Sequence, residues 1–260
     1  MKHSFLDKYS DRDSLIHRLD PRTKLVATLV FIALVVLLPH ASWLIYGLYF
    51  TMVAILIIIS RVPVTYIFLR SLVIVPFVLM VALFIPFFKE GVEAFSFNIF
   101  SWHLSVTYEG LETLGSVMAK AWLSILFLIL LTSTTTFSNI LKALERLKIP
   151  RVLVMIMSFM YRYIFVLTDE VMRMKQARDS RNFGSGGKRL WQIKTVGNMI
   201  GTLFIRSYER GERVYASMVA RGFDGHSRTL DRLCFKPVDV YFVISLGTSL
   251  TLITLLNLLY

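Results

Sequence analysis

Five runs without a charged side chain, at 25–38, 43–60, 71–88, 121–136 and 240–260, alternate with segments in which charge is concentrated. A helix needs about 20 apolar residues to cross the roughly 30 Å of a bilayer's hydrocarbon core, where backbone groups find no water. Four of the runs approach that length. The first is short and borrows from 22–24, where Arg22 and Lys24 can snorkel. With 55% hydrophobic residues and a mean hydropathy of +0.62, the chain is too apolar for an ordinary soluble domain of 260 residues. Pro76 and Pro86 predict kinks in the third run.

The charges orient these runs. Six Lys/Arg lie in residues 1–24, Arg61 and Arg70 flank the turn after the second run, and nineteen lie in 137–236. The segment 89–112 has one lysine against Glu90, Glu93, Glu109 and Glu112. Lys/Arg-rich loops stay in the cytoplasm, so five spans follow, with the N-terminus inside and the C-terminus outside. The acidic residues Asp7, Asp11, Asp13 and Asp20 do not suit a cleaved leader, and the N-terminus reads as retained. The single Cys234 excludes a disulfide framework.

Residues 152–167 are apolar enough to suggest a sixth span. Crossing there would carry Arg173, Lys175, Arg178, Arg181, Lys188 and Arg189 to the far side and leave Arg162 at mid-membrane. That burial costs about 2.5–3.5 kcal/mol even on lenient insertion scales. The segment therefore reads as a helix at the cytoplasmic interface, its apolar face packed under the bundle like that of 196–205.

The organisation predicted is an all-α integral membrane protein: a four-span bundle over 1–136, a cytoplasmic region over 137–236, and a last span within 237–260. The middle region has nineteen Lys/Arg against eight Asp/Glu, eleven of the chain's twelve net positive charges. Phe137, Ile140, Leu141, Leu144 and Leu147 recur at helical spacing in a short helix with Ser138 as cap, ended by Pro150. A long helix over 151–182 stops at Phe183-Gly184-Ser185-Gly186-Gly187, and another over 189–221 stops at Gly222. Each spans roughly 45–50 Å.

The two long helices end alike. One finishes Ala177-Arg178-Asp179-Ser180-Arg181-Asn182 and the other Met218-Val219-Ala220-Arg221-Gly222, each presenting an arginine near small residues. Small flanks allow close approach, and a guanidinium fork grips a carboxylate bidentately. Two such ends fit two equivalent sites on a pseudo-symmetric dimer. Complementing the helix dipole, or binding anionic lipid, is the alternative use of such arginines.

At these residues the chain resembles the transmembrane T component of energy-coupling factor transporters, and within it the CbiQ branch associated with cobalt uptake. His17-Arg18-Leu19-Asp20-Pro21-Arg22-Thr23-Lys24 is similar to the family's opening before its first span. Asp20 suits an N-cap and Pro21 a first helical position. Residues 206–223 are similar to the family's last coupling helix. The family's first Ala-Arg-Gly element falls on Ser180-Arg181-Asn182, a dozen residues after Asp169-Glu170, and departs from the pattern at both flanks. Arg178 beside Ala177 is the rival assignment.

The resemblance implies a scaffold in a bacterial or archaeal cell (inner) membrane. Its coupling helices would join two cytoplasmic ATP-binding-cassette ATPase subunits to a membrane subunit that holds the substrate, of the cobalt type. ATPase docking would fall to Ser180, Arg181, Asn182, Ala220, Arg221 and Gly222. ATP and Mg belong to the partners, which implies that this chain carries no cofactor and is not an enzyme. A nickel or vitamin system of the same type is the alternative.

Other chemistries lack their residues. Gly184-Ser185-Gly186-Gly187-Lys188-Arg189 fails as a phosphate loop, with no glycine at the required earlier offset and Arg189 where Mg²⁺ needs Ser/Thr. His3, His17, His40, His103 and His226 form no helical pair, so no metal site is expected. A stand-alone secondary transporter needs ionisable groups within its spans, and the five runs contain no Asp, Glu, Arg or His; Lys120, beside the fourth, can snorkel. No carboxylate pair or nucleophile constellation marks a membrane enzyme. Wide apolar faces and few exposed aromatics in 137–236 disfavour nucleic acid as a partner and favour the lipid surface.

Overall fold

A computed structural model describes residues 9, 12–38, 43–89, 92–99, 102–181, 189–225 and 235–259. Its helices run α1 Pro21–Leu37, α2 Trp43–Ser60, α3 Val64–Ala82, α4 Ile85–Phe88, α5 Tyr108–Thr134, α6 Phe137–Arg146, α7 Arg151–Asp179, α8 Arg189–Ala220 and α9 Pro237–Leu259, with strands β1 Glu93–Ile99 and β2 Trp102–Thr107 between α4 and α5. Apart from that one pair of strands, the described elements are all helices, and the chain is an all-α integral membrane protein. Among the described residues, five segments are long and apolar enough to cross a bilayer: α2, α3 with α4, α5, α7 and α9. At 17 residues α1 is shorter, roughly 25 Å, so α7 takes its place on length and composition alone.

The chain divides into two compact units, one of Leu144–Arg232 and one of Lys2–Ala143 with Leu233–Tyr260. In the second unit α5 is the central element, packed by α1, α2, α3 and α4, while α9 packs on α1 and α2. Phe31 stacks on Phe127 with ring centroids 4.4 Å apart and meets Tyr49 edge-on at 5.8 Å. Val35, Val53, Ile67 and Leu250 close the core around them. Many outward residues of α2 and α3, such as Ile55, Ile58, Val73 and Phe77, are exposed apolar side chains, as a lipid-facing surface requires.

Several boundaries and caps differ from the sequence reading, each for a local reason. The third span starts at Val64 rather than at 71, because Arg70 does not interrupt it: its guanidinium reaches the Tyr66 hydroxyl at 2.6 Å and lies over that ring. Pro76 is accommodated inside α3, while Pro86 opens the separate short helix α4. The fourth span starts at Tyr108 rather than at 121, since Thr107 caps it by accepting from the Gly110 amide at 3.2 Å. Lys120 is thereby well inside α5. It donates to the Leu38 carbonyl just beyond α1, satisfying an orphan helix-end acceptor instead of snorkelling. Lys24 does not snorkel either: it is 5% exposed and turned inward.

The segment after α4, read as an outer loop, contains an antiparallel hairpin with Asn98 opposite His103 and Ile99 opposite Trp102. Phe95, Phe97 and Ile99 alternating with Ser96 and Asn98 is the period-two signal that carries it. The α6 cap is Thr136, not Ser138. The Thr136 carbonyl accepts from the Asn139 and Ile140 amides at 3.0 and 3.1 Å, and its hydroxyl from Asn139 at 3.4 Å, which leaves Ser138 inside the first turn.

Candidate docking site

In the Leu144–Arg232 unit, α7 and α8 carry apolar stripes at helical spacing that the chain itself leaves exposed. Val152, Ile156, Met160 and Ile164 recur every four residues on α7, and Ile193, Val196, Ile200 and Phe204 at steps of three or four on α8. Only Val154 of α7 is buried. Uncovered apolar area of this extent marks a surface for lipid or another protein.

An ionic clasp joins the two helices. The Glu170 carboxylate accepts from Arg173 on its own helix at 2.7 Å and, through its other oxygen, from Arg206 of α8. The clasp lies eleven residues before Arg181 and fifteen before Arg221, so the two arginines stand roughly 16 and 22 Å further along the helical paths. Glu170 of the Asp169-Glu170 pair thus has a structural role that the sequence pattern alone did not assign.

The α8 end is closed by a Schellman motif. The Phe223 amide donates to the Met218 carbonyl at 3.0 Å and the Gly222 amide to the Val219 carbonyl at 2.9 Å. Gly222 has φ +78°, a left-handed conformation that a Cβ would strain, and its surroundings within 4 Å are open. Arg221 is therefore the last residue before a sharp reversal. It is exposed, and its side chain has no hydrogen bond or ion pair among the described residues. Ala220 beside it is exposed too.

The α7 end is built differently. It stops at Asp179, with Ser180 still in the right-handed region. The Ser180 hydroxyl folds back onto the carbonyls of Gln176 and Ala177 at 2.9 and 3.2 Å, which satisfies the last turn without a glycine. Arg178 is committed to its neighbour, donating through Nε and Nη2 to Asp179 Oδ1 at 3.0 and 2.8 Å. Arg181 is exposed and has no such partner among the described residues. Asn182 lies outside the described residues, as do His40 and the glycine-rich link at 183–188. Among the described residues, no group of three or more His, Cys, Asp and Glu is placed to hold a metal ion.

The described residues form a helical integral membrane protein whose two longest helices each end close to an exposed arginine with no partner among the described residues. Residues 12–230 match the family of the cobalt transport protein, CbiQ. The energy-coupling factor transporter transmembrane protein EcfT of Listeria innocua is 31% identical over 95% of this chain and 96% of its own. Its Bacillus subtilis namesake is 30% identical over 95% of each chain. An uncharacterized protein of Methanocaldococcus jannaschii is 29% identical over 92% of this chain and 82% of its own. The chain belongs to the CbiQ family, as a transmembrane T component of an energy-coupling factor transporter.

Proposed function

We propose that this chain is the scaffold of an ATP-driven cobalt uptake transporter. Its insertion lies in the cytoplasm and docks two ATP-binding-cassette ATPase subunits, and its bundle holds a membrane substrate-binding subunit of the cobalt type. The observation that carries the docking role is that both long helices end on an exposed arginine with no partner among the described residues, Arg181 and Arg221. Arg181 is favoured over Arg178 for the first contact, because Arg178 would have to give up Asp179. Ser180, Asn182, Ala220 and Gly222 flank the two contacts. ATP and Mg are held by the ATPases.

The orientation rests on charge. With the N-terminus inside, α7 lies along the cytoplasmic interface and α1 crosses in its place, flush with a core it helps to form. α1 is short for a span, and a buried Lys24 at its start shortens its apolar length no further because the ammonium is fully bonded. Cobalt as the substrate is supported by the family's description. Nickel or a vitamin remains the alternative, since the relatives named EcfT carry no metal in their names.

Purifying the wild-type chain from its native membranes, identifying the subunits that accompany it, and reconstituting them in liposomes tests this reading. Two ATPases, one small membrane subunit and ATP-dependent Co²⁺ uptake are expected. Uptake by the chain alone, without ATPases, would show a stand-alone transporter and refute it.

A further inference from the structure

The chain leaves the bundle at Thr134–Thr135, the end of α5, and returns to it at Lys236–Asp239, the start of α9. Both points are tied to one place, the first turn of α1. Asp239 is fully buried. Its Oδ1 accepts from the Asp20 amide at 2.7 Å and the Thr23 hydroxyl at 3.4 Å, and its Oδ2 from the Lys236 amide at 2.7 Å. Lys24, one residue further along α1, donates to the Thr134 carbonyl at 3.0 Å, the Thr135 hydroxyl at 3.3 Å and the His17 carbonyl at 3.3 Å. All three ammonium donors have an acceptor. The carboxylates of Asp239 and Asp20 act on that ammonium through space.

Burying an ammonium and two carboxylates is costly, and apolar side chains of similar volume usually stabilise a fold as well or better. What a bonded charge network supplies and apolar contact does not is direction: each partner has one place to be. The network is not spread through the bundle. It joins the exit stem and the return stem of the long insertion to a single helix start.

We infer that Lys24 and Asp239 are positioning residues that lock the two stems of the insertion to α1. Movement arriving at either stem then reaches α1 directly, rather than being absorbed by stretching where the stems join the bundle. The inference rests on the scaffold reading. Neither residue touches substrate or ATPase in this account; each acts through the stems it holds.

The pair K24M/D239N tests it: methionine removes the three ammonium bonds and asparagine keeps one of the two acceptor oxygens, while the carboxylate left, Asp20, keeps the Arg22 amide at 2.9 Å and its guanidinium at 3.9 Å. In the reconstituted complex, the double variant should co-purify with ATPases and hydrolyse ATP close to wild type. Transport per ATP hydrolysed should fall by about tenfold or more, the size expected when a bonded network is lost. T135V, which removes one acceptor and little else, should lower the same ratio by roughly twofold to fourfold. Wild-type transport per ATP in either assembled variant would overturn the inference. So would a loss of transport matched by an equal loss of assembled complex, which a purely structural network predicts. A wild-type chain that binds no ATPase would instead remove the scaffold reading, and this inference with it, before any variant is compared.

Discussion

At the scale of single residues, the side chains that matter most are those whose surroundings leave one use open. Arg221 projects from a helix end that its neighbours have closed, since the Schellman bonds already satisfy the terminal carbonyls of α8. Gly222→Ala should weaken ATPase binding, because a Cβ at φ +78° costs about 1 kcal/mol or slightly more and would be relieved by reopening the turn. Titrating purified ATPases against the two proteins measures this; equal affinity would show that the turn's geometry is not used. His17 gives a pH-dependent prediction. Its Nε2 faces the Tyr9 carbonyl, which can only accept, so Nε2 carries the proton and Nδ1 accepts from the Ser14 hydroxyl. Burial, with a smaller push from Lys24 and Arg12, holds the ring below its ordinary value near 6.5, against the Tyr9 carbonyl pulling the other way. The folded state therefore binds the proton less readily than the unfolded chain. Stability is complete above that ordinary value, declines as pH falls through it, and levels off below the lowered value. Thermal unfolding in detergent at pH 7.5 and pH 5.5 should show a decline for wild type that His17→Ala reduces.

At the scale of elements, the Glu170 clasp is a polar link between α7 and α8. The pairs are solvent-exposed, so their energy is modest and screened by salt, but they fix where two otherwise lightly packed helices meet. Spin labels at Lys175→Cys and Arg210→Cys should show a broader distance distribution in E170Q than in wild type, and in wild type at 1 M salt than at 0.1 M. An unchanged distribution would mean that the crossing is set elsewhere. A closer contact secures α5 on α4, where a Cβ on Gly110 would come within 2.6 Å of Pro86 Cα, so only glycine lets the two backbones meet there. The helices were largely legible beforehand, because uncharged length and 3.6-residue spacing are strong local signals. The starts of α3 and α5 were not, because Arg70 and Lys120 broke the runs while finding partners in Tyr66 and the Leu38 carbonyl. The hairpin was masked by an acidic loop. The role of Asp239 is not legible in sequence, because it sits three residues after Lys236 at a span edge, where a carboxylate reads as interfacial; only the fold brings it to Asp20, 219 positions away in sequence.

At the scale of the whole molecule, two predictions concern how the chain sits in its membrane and what it joins. In a background with Cys234 replaced, cysteines at Lys175 and at Glu109 should behave oppositely toward a membrane-impermeant thiol reagent in intact cells. Position 109 should label from outside and position 175 only after lysis; labelling of 175 from outside would place α7 across the membrane and reverse the orientation of everything after it. The arginine ends of α7 and α8, recognisable in sequence as a repeated ending, turn out to be built by different caps around the same exposed guanidinium. That sameness of product is what the scaffold account depends on. The most direct test is co-purification of the ATPases with Arg181→Ala/Arg221→Ala from membranes that contain equal amounts of wild-type and variant chain. Losing a desolvated, charge-assisted contact costs about 2–5 kcal/mol at each site, so the ATPases should be largely absent from the variant, and the double lysine replacement R181K/R221K should recover little of the binding. ATPases retained at wild-type yield, with transport intact, would contradict the account.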